Sequence, residues 1–168
     1  MTFGYMKAEH ATHNQAVSCP FCHPGIHEYA FLEHKGFIAI INIAPVLPGH
    51  SLVIPKTHRM SITALDEKEI CAFMETARKA TLILLKAFDT DAFDWSVQEG
   101  PEAGQSIEHL HLHIVPRIKD DLPGPGDWYP LVHHNDQAVI DSADRKKLSS
   151  EEIETIVRTL RKVAEGLE

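Results

Sequence analysis

The chain has 168 residues and a formal net charge of −8, a length that suits one domain with a sizeable core. Its acidity argues against a general nucleic-acid binder, which would carry a basic face, but it allows a small anionic ligand in a locally positive pocket. No apolar run approaches the ~18 residues that a membrane helix needs, and the polar first 15 residues lack a signal-peptide core. We therefore expect a cytoplasmic protein without a membrane or nucleic-acid partner.

Residues 1–18 are interpreted as a flexible N-terminal arm. Cys19 and Cys22 follow, separated by two residues. Two thiolates at this spacing can bind one tetrahedral zinc ion, but such a site needs two further ligands. In a reducing compartment a pair of this kind more often binds metal or does redox chemistry than forms a structural disulfide. Two reduced structural cysteines are the alternative.

Three β-strands are predicted next, at 28–33, 37–42 and 51–54, because these segments are rich in β-prone residues and are separated by turn residues. Asn42 closes the second strand and, taken alone, is interpreted as a turn residue. His50 opens the third strand and, taken alone, could be a hydrogen-bonded core histidine.

A long amphipathic helix is predicted from Asp66 to about Ala87. Asp66 and Glu69 form a capping-box pair at its start. Cys71 is expected to be a small buried hydrophobe beside the apolar stripe. The stripe recurs at helical spacing and is expected to face the core; it comprises Ile70, Phe73, Met74, Ala77, Leu84 and Phe88.

A fourth strand is predicted at 93–98, and histidines then occupy every second position of 109–113, alternating with apolar residues. A period of two is typical of a β-strand, which would place three imidazoles on one face and the apolar residues in the core, with Pro116 at the strand end. Imidazole can act as acid or base, bind metal or attack as a nucleophile. A histidine-rich strand without function and a three-histidine metal site are the alternatives.

The C-terminal part is predicted to contain a loop and a helix. The loop passes near the site or a partner subunit, where Trp128 or Tyr129 either stacks on a base or packs against the body. Ser149 and Glu152 open a second capping box. The helix that follows is expected to pack on its own domain, with partner binding as the alternative. Its apolar face comprises Ile153, Ile156, Val157, Leu160, Val163 and Leu167. These elements together predict an α+β domain with an antiparallel sheet of about five strands, one long central helix and a C-terminal helix.

The segment 105–117 resembles the signature of the histidine triad family, in which His-x-His-x-His is followed by apolar residues. Residues 98–105 resemble the approach segment of the fragile histidine triad branch, and 48–58 resemble a second block shared across the family. The similarity covers about 19–117, which is the expected core of a single domain over 19–168 with a C-terminal loop and helix at 118–168. The resemblance implies a HIT-like fold and a homodimer.

The resemblance also implies roles for individual residues. His111 would be the nucleophile, and the strand geometry supports that choice because an imidazole lies on each side of it. Its other nitrogen should donate to an oxygen, and a main-chain carbonyl near His109 is the expected acceptor. His113 would steady the phosphate oxygens, and Ser106 would donate a hydrogen bond that assists the leaving group. The substrate-binding residues would be Asn42 on the ribose, His50 in the pocket wall, and Gln98, Gln105, Ser106 and His113 on the phosphates.

For the zinc ion the resemblance implies two further ligands, His58 and His109, as in several bacterial family members and in galactose-1-phosphate uridylyltransferases. Such an ion would be structural, because all four ligands are protein groups. The fragile histidine triad branch lacks the cysteines, so this chain combines two patterns. His109 is also a catalytic candidate, but with zinc bound it could not serve as the proton donor. The acid for the leaving group would then be another residue, or Mg²⁺ bound with the substrate would neutralise the charge.

The expected activity is the hydrolysis of dinucleoside polyphosphates, such as diadenosine tri- or tetraphosphate, through a nucleotidyl-histidine intermediate. Alternatives within the family are a nucleoside phosphoramidate hydrolase and a nucleotidyltransferase or phosphorylase. The alternative outside enzymology is a nucleotide-binding regulatory protein with little turnover.

Overall fold

The structure, a computed structural model, describes residues 19–124 and 145–167. The predictions for the arm 1–18 and for Trp128 and Tyr129 lie outside the described residues. Within these residues there are two α-helices, α1 (Glu67–Phe88) and α2 (Ser150–Glu165). The strands form one antiparallel sheet in the order β1-β2-β3-β5-β4; they are β1 (Ala30–His34), β2 (Phe37–Ile41), β3 (Ser51–Pro55), β4 (Ala92–Val97) and β5 (Leu112–Arg117). The α+β prediction is therefore confirmed.

The first hairpin follows from its two turn residues. His34 pairs with Phe37, so only Lys35 and Gly36 connect β1 to β2. Both have positive φ, 45° and 86°, as a type I′ turn requires. The paired strands bring every residue of β2 and β3 into the protein interior, because both strands lie inside the sheet between β1 and β5.

Helix α1 covers one face of the sheet. Its predicted capping box is present: Asp66 accepts from the Glu69 amide, and Glu69 accepts from the Asp66 amide. The buried face comprises Ala72, Phe73, Thr76, Ala77, Ala80, Thr81, Ile83 and Leu84. Met74 is 41% exposed and Cys71 is exposed, so the predictions that both are buried are wrong. Cys71 lies two residues from Phe73, which is about 200° around a helix of 3.6 residues per turn and hence on the opposite side.

Helix α2 packs on its own domain, as predicted. Its capping box between Ser149 and Glu152 is present, and Val157 and Leu160 join the main core cluster. The Arg161 guanidinium donates to the Ala30 carbonyl at 2.9 and 2.7 Å. Leu167 is 50% exposed, contrary to the prediction, because the helix ends before it.

Strand β5 begins later than the histidine pattern predicts, so His109 and His111 precede it. The reason is the lack of a neighbouring strand: β3 and β4 both finish their pairing with β5 at Leu112. The chain before that point bonds elsewhere, with the Leu110 amide donating to the Arg59 carbonyl at 2.6 Å. Pro116 lies inside β5 rather than at its end.

A tight turn before β3 positions His50. The His50 amide donates to the Leu47 carbonyl at 3.1 Å, and Gly49 between them has φ of 83°. A side chain at Gly49 would meet the rings of Phe88 and Pro116 at 2.6 Å, so this turn is wedged between the end of α1 and β5. Within the described ranges, neither helix is long and apolar enough to span a bilayer.

Candidate functional site

A cavity of about 590 Å³, here named the triad cavity, opens beside His111 and His113. Its lining combines apolar and polar side chains, which is usual for a site that binds a small organic ligand. The apolar part includes Phe21, Ile26, Tyr29, Ile40, Leu52 and Ile107. The polar part includes Asn42, Ser106, His111, His113 and Arg145.

His111 is held in one tautomer. Its Nδ1 lies 2.8 Å from the His109 carbonyl oxygen, which can only accept, so Nδ1 carries the proton and Nε2 keeps its lone pair. The predicted carbonyl acceptor is thereby confirmed. Burial lowers the pKa of His111 below its ordinary value, so the ring is neutral at pH 7. A neutral imidazole with one lone pair is suited to nucleophilic attack.

His113 is held in the opposite tautomer by a chain of two hydrogen bonds. The Val46 amide donates to His50 Nδ1 at 3.2 Å, so the proton of neutral His50 is on Nε2. That Nε2–H donates to His113 Nδ1 at 2.9 Å, which places the His113 proton on Nε2. His111 thus has a lone pair at Nε2, whereas His113 has a donor at the same atom.

The low pKa values of these rings support this assignment. Burial lowers the pKa of His50 to about 3, with smaller contributions from Arg145 and His111. Burial and the neighbouring His50 also hold the pKa of His113 well below its ordinary value. His50 is 2% exposed and is not part of the cavity lining. It therefore lies behind the cavity wall, whereas we predicted that it would form part of that wall.

Asn42 lines the cavity and is also a turn residue, and its contact with a ribose stays a prediction. Its Oδ1 accepts from the Ala44 amide at 2.9 Å, and its Nδ2 lies 3.5 Å from the His50 ring nitrogens. The side-chain amide therefore has its oxygen engaged in the turn and its nitrogen next to the buried histidine pair.

The loop before the triad is held by its own side chains. The Gln105 Oε1 accepts from the Gly100 amide at 2.7 Å, and Gly100 and Gly104 have φ of 84° and 88°. Glu99, for which no role is predicted from the sequence, accepts from Ser61 Oγ at 2.7 Å and from the Ile62 amide at 2.5 Å. These contacts fix the approach to Ser106.

Ser106 lines two cavities, the triad cavity and an adjoining one of about 800 Å³. Gln105 lines the adjoining cavity. Gln98 is 9% exposed and belongs to the lining of neither cavity. Of the two amides predicted to contact phosphate, only Gln105 therefore borders a cavity, and its oxygen already binds the loop.

The four predicted metal ligands come together in one cluster. The ligand atoms of Cys19, Cys22, His58 and His109 all lie within 4.8 Å of one another. His109 Nδ1 is 3.5 Å from Cys19 Sγ and 3.6 Å from Cys22 Sγ, and His58 Nδ1 is 3.2 Å from Cys22 Sγ. The cluster could therefore hold a metal ion.

The donor chemistry of the cluster suits a cation. His109 Nε2 donates to the Pro55 carbonyl at 2.9 Å, which leaves the Nδ1 lone pair directed at the cysteines. Burial and the nearby Cys19 raise the pKa of the Cys22 thiol to about 11. A positive ion at the centre would offset this cost, because it stabilises both thiolates.

The metal cluster and the triad share His109. Its ring belongs to the cluster, while its carbonyl oxygen accepts the hydrogen bond from His111 Nδ1–H. Phe21 contacts both rings edge-on, with ring centroids 5.6 Å apart in each case. The sequence did not predict a role for four groups at the site: Phe21, Glu99, the Pro55 carbonyl and Arg145. The CxxC spacing was the one signal near Phe21. The other three carry no local sequence pattern, and only the fold places them at the site.

A family model for the HIT domain matches residues 24–120. The chain belongs to the HIT domain family. Its curated relatives include a bis(5'-adenosyl)-triphosphatase from Dictyostelium discoideum, 35% identical over 91 residues, which is 54% of this chain and 61% of the relative. They also include an asymmetrical bis(5'-nucleosyl)-tetraphosphatase from Schizosaccharomyces pombe, 36% identical over 92 residues, which is 55% of this chain and 50% of the relative.

These matches span only half to three-fifths of the relatives' own length. Among solved structures, a hypothetical histidine triad nucleotide-binding protein from Sulfolobus tokodaii strain7 has a TM-score of 0.69 and 28% sequence identity. That similarity covers 89% of this chain and 93% of that protein. The HIT-like fold predicted from the sequence is confirmed.

Proposed function

We propose that this protein hydrolyses dinucleoside polyphosphates through a covalent nucleotidyl-histidine at His111. The observation that carries the proposal is the tautomer of His111: its Nδ1–H donates to a carbonyl, and the ring borders a cavity with Nε2 unprotonated. The relatives named as a bis(5'-adenosyl)-triphosphatase and a bis(5'-nucleosyl)-tetraphosphatase support the choice of substrate.

The reaction would occur in two displacements. His111 Nε2 attacks a phosphorus atom, a P–N bond forms, and the P–O bond to the leaving nucleotide breaks. His113 Nε2–H donates to a phosphate oxygen, and the Ser106 hydroxyl donates to the bridging oxygen. Water then opens the P–N bond, which releases a nucleoside monophosphate and restores the neutral ring. Mg²⁺ bound to the substrate would supply further charge neutralisation.

The variant His111→Asn tests this chemistry. We expect it to retain nucleotide affinity and to lose hydrolysis of diadenosine tri- and tetraphosphate, because removal of a nucleophile costs many orders of magnitude. His27→Asn is the matched control, since His27 is exposed and outside the triad cavity lining. Mass spectrometry of rapidly quenched wild-type protein should show an adenylyl adduct. Turnover of His111→Asn within about tenfold of wild type would exclude His111 as the nucleophile.

We propose zinc as the ion in the cysteine–histidine cluster. A tetrahedral ion with Zn–S of about 2.3 Å and Zn–N of about 2.0 Å requires S···N separations of about 3.5 Å. The S···N separations here are 3.5, 3.6 and 3.2 Å. Four protein ligands leave no open position, so the ion would be structural. It would hold His109 and thereby the carbonyl that orients His111.

We also propose a homodimer that forms through β4, and a single domain over 19–168. Strand β4 is an edge of the sheet, and it exposes Phe93 and Val97, at 44% and 37%. An exposed apolar edge strand is a template for pairing with a second chain.

The proposal of a single domain is supported by α2, whose apolar face joins the main core. A cytoplasmic location remains a prediction.

A further inference from the structure

One cation borders the triad cavity and comes from outside the matched HIT domain. Arg145 lies beyond residue 120, where the family match ends, yet it lines the same cavity as His111 and His113. The segment that carries it is anchored. The Leu148 amide donates to the Ile43 carbonyl at 2.8 Å, and the Leu148 side chain packs against the main core cluster.

This anchoring fixes Arg145 relative to the rest of the site. Ile43 follows Asn42, and both line the cavity, so the hydrogen bond attaches the segment beside the wall of the site. Ser149 then caps helix α2, which adds a second restraint one residue beyond Leu148. Both restraints lie just C-terminal to Arg145, at residues 148 and 149, so they hold the backbone that carries Arg145 beside the wall of the site.

The charge of Arg145 has no equivalent in that cavity. Among the described residues of the lining, it is the only lysine or arginine, and Glu28 is the only carboxylate. His113 contributes a hydrogen bond but no net charge, because burial and the neighbouring His50 hold its pKa well below the ordinary value. The positive charge of Arg145 also acts on the imidazoles, since it lowers the pKa of His50 and of His113.

A phosphorylated ligand in this cavity needs a positive partner. Phosphoanhydride substrates are polyanions, and neutral imidazoles alone leave their charge uncompensated. A guanidinium is always protonated and presents a planar fork that matches two phosphate oxygens. We propose that Arg145 binds a phosphate group of the nucleotide in the triad cavity, and so makes the site selective for nucleotides over nucleosides. This inference rests on the proposed function for the identity of the ligand.

The test compares Arg145→Gln with Lys146→Gln. Both variants remove one positive charge, but Lys146 is exposed and is not part of the cavity lining. Binding of adenosine, AMP and ADP is measured by titration calorimetry in the His111→Asn background, which prevents turnover. Arg145→Gln should weaken the binding of AMP and ADP by about 10- to 100-fold, the usual loss for a hydrogen bond to a charged group. It should leave the affinity for adenosine within about twofold of the background variant. Lys146→Gln should leave all three unchanged.

Steady-state kinetics with diadenosine triphosphate should show the same 10- to 100-fold loss in kcat/KM for Arg145→Gln. Equal affinities for AMP and ADP in Arg145→Gln and Lys146→Gln would overturn the inference, whatever the turnover. Arg145→Lys covers the case in which the glutamine variant does not fold. Arg145→Lys keeps the charge but loses the planar guanidinium, so its affinity for ADP should be at least threefold weaker than that of Lys146→Arg. Equal affinities of these two variants for ADP would also overturn the inference.

The binding measurement separates this inference from the proposed function. Arg145-dependent binding of AMP together with no cleavage of any dinucleotide would refute the hydrolase and leave the phosphate contact standing. Normal dinucleotide cleavage together with nucleotide binding that does not depend on Arg145 would refute the phosphate contact and leave the hydrolase proposal standing.

Discussion

Replacement of Gly49 by alanine should destabilise the protein by about 2–5 kcal/mol. Two costs add. The backbone φ of 83° at Gly49 costs a residue with a side chain about 1–2 kcal/mol. The new Cβ would lie 2.6 Å from ring atoms of Phe88 and Pro116, closer than any van der Waals contact allows, and overpacking of this kind costs about 1–3 kcal/mol.

Gly36→Ala separates the two costs. Gly36 has nearly the same φ, 86°, but a Cβ there would meet nothing within 4 Å. Only the backbone cost of about 1–2 kcal/mol should therefore appear. The difference between the two variants should be about 1–3 kcal/mol and should measure the contact with Phe88 and Pro116 alone.

Urea unfolding followed by fluorescence at equal metal content gives both free energies of unfolding. The reasoning would be refuted if Gly49→Ala were no more destabilising than Gly36→Ala. Because Gly49 adjoins His50, the same variant should also lower kcat of the folded protein, whereas Gly36→Ala should not.

The remaining predictions concern the metal, the buried histidine and the dimer. Protein purified without chelator should contain about one zinc ion per chain. Cys22→Ser should lose the zinc and unfold at a lower temperature. Cys71→Ser, at an exposed cysteine, should keep the zinc and the unfolding temperature of the wild type. Zinc-free wild-type protein would exclude the zinc proposal. His50→Leu should lower kcat at least about tenfold with a smaller effect on KM, because it removes the hydrogen bond that sets the His113 tautomer; unchanged kcat would show that this bond has no catalytic role. Val97→Lys should convert the dimer to a monomer in light scattering, with Glu33→Lys on the opposite edge strand as control, and a monomeric wild type would end that proposal.

Much of the fold could be predicted from the sequence, because its signals act between near neighbours. The capping boxes at Asp66 and Ser149 each depend on residues three apart, and both are present. Strands β2 and β3 begin at their predicted residues and end one residue from the predicted position, and helix α1 is shifted by one residue at both ends. The spacing of two in the triad also pointed to His111 and His113, which do border one cavity.

The histidine pattern nevertheless overstated strand β5. Alternation reports which residues are apolar, but a strand also needs a partner, and both neighbours of β5 end their pairing at Leu112. Likewise, periodicity placed Met74 in the stripe of α1, whereas the sheet covers a narrower face of that helix and leaves Met74 41% exposed.

The sequence by itself determined the order of the elements, the triad and the cysteine pair, and its resemblance to the family implied the two histidine partners of that pair. The tertiary structure alone decided the protonation of His113 and His109, because these depend on the distant His50 ring and the distant Pro55 carbonyl. It also decided that His50 lies behind the wall and that Arg145 lines the cavity. Such contacts join residues far apart in the chain, as Cys19 and His109 are, and no local pattern records which distant groups will meet.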